Sequence, residues 1–188
     1  MKYLLILILS TLISCADRED KNLSLEADLQ ETSLEDLSFS EYRPKQAKYL
    51  VIHCIATDPK YPWSVERLAT FFKKERKWNR YGYNYYIRQD GIIEELTPIN
   101  DNCTVDFDEL TYNAAGYNSI TFAVSLEGGS EFVNKRLVDK DNFTLEQKAS
   151  LIYITEKIKG ICPDIKVIPH NELNKSKSCP VLQIEFLQ

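Results

Sequence analysis

From about residue 47 onward, stretches of strand-like and helix-like hydrophobic spacing alternate along the chain. Lys48 to Ala56 is an apolar run of strand length around Val51 and Ile52, which suits a central strand covered on both faces. Thr57 to Pro62 breaks it. Ser64 can then cap a helix reaching about Lys77, with Val65, Leu68, Phe71 and Phe72 on one face. Tyr81 to Arg88 is aromatic and β-prone, Gln89-Asp90-Gly91 supplies a turn, and Ile92 to Leu96 returns, so this segment predicts a hairpin. Asn100 to Thr111 reads as a polar surface loop. Ile120 to Leu126 is a second buried strand closed by Gly128-Gly129, and a charged loop follows. Thr144-Leu145-Glu146-Gln147 is a capping box opening a helix that carries Leu145, Ala149, Leu151, Ile152, Ile154 and Ile158 and stops at Gly160. Lys166 to Pro169 is a short strand with His170 at its end. The fold class expected is α/β: a single domain with a mixed central β-sheet flanked by helices.

The N-terminus departs from this pattern. Met1-Lys2 is followed by an almost entirely apolar run from Tyr3 to Ile13, too short for a permanent span of about 20 residues but of the length of a signal-peptide core. It ends in Leu12-Ile13-Ser14-Cys15, which resembles the bacterial lipobox. The expectation is a lipoprotein signal over residues 1–15 with Cys15 lipidated; the other reading is an ordinary secretory signal with an incidental cysteine. Residues 16–46 mix acidic, basic and serine positions with scattered leucines and read as an acidic flexible tether, leaving a domain over 47–188. The expected location is therefore the bacterial cell envelope, with the lipid anchored in a membrane, the outer one facing the periplasm.

Composition narrows the functional classes. The 188 residues are 44% hydrophobic and 27% charged, ordinary for one compact domain plus a tail. A net charge of -5 argues against a nucleic-acid partner, which would call for a basic stripe, and a monomer is expected. Of the five cysteines, Cys54 should be a buried thiol on the face opposite His53. Cys103 and Cys162 are free to pair or not in an oxidising compartment, and the sequence leaves this open.

The chemistry concentrates in Pro169 to Pro180, where His170 and Cys179 stand nine residues apart with Lys177 two positions before the thiol. The other of the two histidines, His53, lies within the first predicted strand. Two histidines and one cysteine form a ligand set for catalytic zinc, which keeps its fourth position open for water. A histidine at a strand end is also commonly a hydrogen-bonded structural residue, and spacing alone leaves both roles open.

Four blocks together resemble the type-2 N-acetylmuramoyl-L-alanine amidases, whose fold is shared with the peptidoglycan recognition proteins and which include a phage lysozyme-type branch. The blocks are Val51-Ile52-His53-Cys54-Ile55-Ala56-Thr57, Gly82-Tyr83-Asn84-Tyr85 with Arg88-Gln89-Asp90-Gly91, Ala115-Gly116-Tyr117-Asn118 through Gly128-Gly129, and His170-Asn171-Glu172-Leu173 through Lys177-Ser178-Cys179-Pro180. The resemblance implies Zn2+ held by His53, His170 and Cys179, catalytic roles for Tyr83 and Lys177, and peptidoglycan as substrate. The bond cut would join the muramic lactyl group to the L-alanine of the stem peptide. It also suggests Asn84, Asn113 and Asn118 as substrate-binding residues, although the phage-like pattern has histidine at Asn84 and Asn113. Ser125 stands where the branch that recycles anhydro-muropeptides has a glutamate, which favours the tyrosine/lysine site. The alternative function is a peptidoglycan-binding lipoprotein that keeps the fold without turnover.

Overall fold

The computed structural model describes residues 41–188. In chain order its elements are β1 (Lys45–Gln46), β2 (Tyr49–Cys54), α1 (Val65–Thr70), β3 (Tyr85–Ile87), β4 (Ile93–Glu95), β5 (Thr104–Val105), β6 (Thr121–Leu126), β7 (Ser130–Val133), β8 (Arg136–Asp139), α2 (Leu145–Ile161), β9 (Lys166–Pro169) and α3 (His170–Leu173). Five strands make the central sheet in the order β4-β3-β6-β2-β9. β2 runs parallel to β6 and to β9, β3 runs parallel to β6, and β4 returns antiparallel along β3.

The two central strands are apolar along nearly their whole length because both of their faces are covered. Alternation sorts their side chains. Leu50, Ile52 and Cys54 of β2, with Phe122, Val124 and Leu126 of β6, join the main core beneath Leu151, Ile154 and Ile158 of α2. Each fully buried large side chain there contributes about 1.5–3 kcal/mol. On the opposite face Tyr86 packs with Leu68 of α1 and with Phe72. His53 and Ser125, partners in the β2–β6 register, alternate with the main-core residues on their strands and so belong to this second face.

The predicted capping box is present: Gln147 N–H donates to Thr144 Oγ1 at 3.0 Å and Thr144 N–H to Gln147 Oε1 at 3.1 Å. The buried Gln147 amide also donates to the carbonyls of Ile87 and Glu127, pinning the start of α2 to the ends of β3 and β6. Cys103 and Cys162 form a disulfide across 59 residues, an entropic constraint worth about 4 kcal/mol.

The tether predicted to reach residue 46 ends earlier: Tyr42 is buried with its hydroxyl donating to Val105 O, and β1 pairs with β5. The rest of that segment, residues 16–40, and the predicted signal lie outside the described residues. The helix expected to Lys77 keeps α geometry only to Thr70 and continues as a π-helical turn over Phe71–Glu75. Of the apolar residues that α2 carries, Leu145 and Ile152 are exposed. The loop after Gly128-Gly129 is instead the β7–β8 hairpin, held by Asp58, whose carboxylate accepts the Phe132 N–H at 3.0 Å.

Candidate functional site

The site forms where parallel strands end together. β2 carries His53 next to its last residue, and β9, in register beside it, ends at Pro169, so His170 emerges at the same edge of the sheet as the first residue of α3. The chain then turns back. Asn174 organises the return by accepting the Ser176 N–H at 3.0 Å on its side chain and the Lys177 N–H at 3.1 Å on its backbone carbonyl. Asn171 N–H donates to Cys179 O at 3.0 Å, which brings the thiol against the start of α3.

The result is a cluster in which one ligand atom from each of His53, His170 and Cys179 lies within 4.8 Å of the others. Cys179 Sγ stands 3.8 Å from His53 Nδ1 and accepts the Cys54 N–H at 3.2 Å. The two imidazole rings are 4.4 Å apart. Tetrahedral zinc with bonds of about 2.0–2.3 Å needs ligand atoms roughly 3.3–3.8 Å from one another. The His53–Cys179 separation fits that edge, and two nitrogens with one thiolate fit zinc's preference. Burial holds the His53 imidazole well below its ordinary 6.5, the nearby His170 adds to this, and Asn113 opposes it. The ring is therefore neutral near pH 7, as a metal ligand must be.

Tyr83 joins this centre, its ring 5.2 Å from that of His53 and 5.6 Å from that of Phe72. It also ends a largely apolar cleft of about 630 Å³ walled by Trp63, Arg67, Phe72, Phe132 and Leu137. Arg67 lies over the Trp63 ring at 4.4 Å. Lys177 sits partly buried in the return loop two residues before Cys179. The predicted centre, His53, His170, Cys179 and Tyr83, is thus brought together. The sequence reading did not assign the cleft walls, which include Tyr61 and Phe132, exposed aromatics in edge contact.

The three asparagines are all buried. Asn84 is wholly buried, donates to Thr97 O and Glu109 O, and accepts the Ala123 N–H at 2.9 Å, so its amide is engaged in holding strands together. Asn118 is buried and accepts the N–H groups of Asn113 and Ala114, fixing the turn before β6. Asn113 is buried between Thr111 and Thr121 and acts on His53. Glu127 is engaged as well, its carboxylate accepting the Trp63 N–H at 2.7 Å and the Gln89 N–H at 3.0 Å. Ser125 is buried beside His53, its partner in the β2–β6 register.

A family model described as N-acetylmuramoyl-L-alanine amidase matches residues 43–181. The endolysin of Enterobacteria phage T3 is 31% identical over 148 residues, covering 77% of this chain and 88% of its own. The endolysin of Enterobacteria phage K11 is 26% identical over 141 residues, covering 75% and 85%. Among solved structures, the Ph2119 endolysin from the Thermus scotoductus MAT2119 bacteriophage superposes with a TM-score of 0.60 at 22% identity, covering 77% of this chain and 84% of that one. These relatives overturn the envelope location expected from the N-terminus: the curated proteins matched are phage endolysins. Among the described residues no helix is long and apolar enough to cross a membrane.

Proposed function

The chain belongs to the N-acetylmuramoyl-L-alanine amidase family, an amidase of peptidoglycan, and on that premise we propose that it works as a zinc enzyme through His53, His170 and Cys179. The observation that carries this is the gathering of those three ligand atoms within 4.8 Å at one end of the sheet, from two segments far apart in sequence, β2 and the stretch from His170 to Cys179. The bond hydrolysed is the amide between the N-acetylmuramic lactyl group and L-alanine. When bound, zinc would polarise that carbonyl and make a water nucleophilic near neutral pH.

The remaining work falls to the chain's own groups. The apolar cleft beside Tyr83 receives the substrate and limits water around the scissile amide, which strengthens every polar contact there. The Tyr83 hydroxyl serves as a hydrogen-bond donor to the carbonyl oxygen as it gains charge. Lys177, carried by the same loop as Cys179, supplies a positive charge for that oxyanion. The Cys54 N–H holds the thiolate in place. Retention of Cys179 beside His53 supports turnover over a role limited to binding.

The test is zinc content of the purified protein together with mass analysis of what it releases from sacculi. Stoichiometric zinc and free stem peptides beginning with L-alanine are expected. Products from a glycan or peptide–peptide cut would overturn the proposed bond.

A further inference from the structure

The loop that leaves β2 is laced to the base of the β7–β8 hairpin. Thr57 N–H donates to Gly128 O at 3.1 Å and Ser130 N–H to Thr57 O at 3.3 Å. The buried Asp58 side chain extends the join: its Oδ1 accepts the Lys60 N–H at 3.0 Å and its Oδ2 the Phe132 N–H at 3.0 Å. Both carboxylate oxygens are thus engaged by backbone, one in the loop and one in the hairpin, and charge-assisted bonds of this kind are the stronger ones. The Tyr61 ring meets that of Phe132 edge-on at 5.8 Å.

The hairpin has two unlike faces. Phe132 and Leu137 are register partners and both line the cleft, whereas Glu131, Val133 and Val138 alternate with them and do not. The two-residue turn, Asn134-Lys135, has φ of +50° and +64°, a geometry in which the second position ordinarily goes to glycine. Here that position holds a lysine, and a residue kept in a sparsely populated conformation points to function. Lys135 lines the cleft, as does Arg67 of α1. Neither is ion-paired among the described residues, and with Asp58 committed to backbone N–H groups they are the cleft's available charges. Two cations at one cleft, in a chain of net charge -5, favour an anionic ligand there.

We propose that Asp58 is a positioning residue for substrate binding: it holds the β7–β8 hairpin as a wall of the cleft, so that Lys135 joins Arg67 in receiving a carboxylate of the stem peptide. The proposal rests on the reading of the cleft as the seat of the substrate. Stem peptides carry carboxylates, whereas the muramic carboxyl group is tied up in the amide that is cut. The hairpin therefore serves the peptide side of the scissile bond, and its apolar face covers the peptide's aliphatic parts while the lysine at its turn takes the charge.

The test gives the full chain two muramoyl peptides that differ only in whether the stem's carboxyl groups are free or amidated. The wild type should show a KM about fivefold lower for the free acid, the scale set by two exposed cations. Lys135→Gly suits the positive φ of the turn, so the hairpin is kept, and the preference should fall to about twofold or less. Asp58→Asn leaves one of the two backbone N–H groups without its acceptor. Charge alone would sharpen the preference for the free acid when Asp58 is neutralised; a displaced hairpin weakens it, and a weaker preference is expected. Partial unfolding would lower turnover of both peptides alike and leave their ratio untouched. Equal KM values in the wild type, or a preference undiminished in Lys135→Gly or in Asp58→Asn, would overturn the proposal. A wild type that cleaves neither peptide sinks the amidase reading of the site instead. Titration calorimetry of the two uncleaved peptides then decides the same question: tighter binding of the free acid supports the proposal, and equal binding or none overturns it.

Discussion

Cys179 Sγ lies 3.8 Å from His53 Nδ1, although 126 residues separate the two in sequence, and the same sulfur accepts the amide hydrogen of Cys54, the neighbour of His53. The backbone of β2 thus holds the sulfur at the distance a shared metal requires. Cys179→Ser leaves an oxygen with a shorter reach and a far higher pKa. Zinc affinity is expected to fall beyond the roughly 100-fold seen for losing a partner of a ligand, with amidase turnover falling alongside it. Equilibrium dialysis against zinc and peptide release from sacculi check this together. Undiminished turnover in Cys179→Ser would remove the thiolate from the mechanism.

Asn84 separates a structural role from a substrate role. Replacing it with leucine would leave the Ala123 N–H and the carbonyls of Thr97 and Glu109 buried without their partner. Such orphaned groups cost about 1–3 kcal/mol each and do not sum simply, so Asn84→Leu should lose about 2–4 kcal/mol in urea denaturation. KM of the fraction that remains folded should be unchanged. A large rise in KM with stability intact would return Asn84 to the substrate.

Gly129 closes β6 against the strand that carries His53. Its φ is +90°, and a Cβ added there would meet Cys54 Sγ at 2.6 Å and Cys54 Cβ at 2.9 Å. Gly129→Ala therefore combines backbone strain with a clash, and a loss of about 2–4 kcal/mol is expected. Because the displaced strand bears a ligand, zinc affinity should fall too. Cys54→Ala in the same chain removes the sulfur contact but not the strained φ, so thermal denaturation should show partial recovery. Full recovery would mean that the backbone conformation carries no cost.

The parts legible in the sequence are those set by short-range pattern. β2 and β6 announce themselves because both of their faces are buried, and α2 because Thr144 and Gln147 cap it reciprocally. His170 could be placed at a strand end because Val167 and Ile168 are β-branched and apolar and Pro169 follows them. The β7–β8 hairpin was hidden because its residues are mostly exposed and mix charged with apolar positions; what orders it is a carboxylate 74 residues upstream, Asp58 on Phe132. The partners of Asn84 are non-local in the same way. Nothing local distinguishes an amide that meets a ligand from one buried among carbonyls, and for Asn84 the partners come from β6 and from the loops after β4.

Acid should destabilise the metal-free protein in a way that His53 reports. Burial, reinforced by His170 and opposed by Asn113, holds the folded-state pKa of His53 well below 6.5. Between those two values the unfolded chain binds a proton that the folded chain does not. Stability from this group is thus complete above about pH 6.5 and declines as pH falls towards the folded value. Urea denaturation of metal-free protein at pH 7.5, 6.5 and 5.5 should show a falling free energy of unfolding. The decline should be shallower in His53→Gln, which keeps a polar side chain but does not titrate. Carboxylates elsewhere contribute equally to both proteins, so the difference between the two slopes isolates the imidazole. Parallel slopes would show that His53 takes up its proton in the folded state as readily as in the unfolded one, and that the ring is far better solvated than its place between β6 and α3 implies.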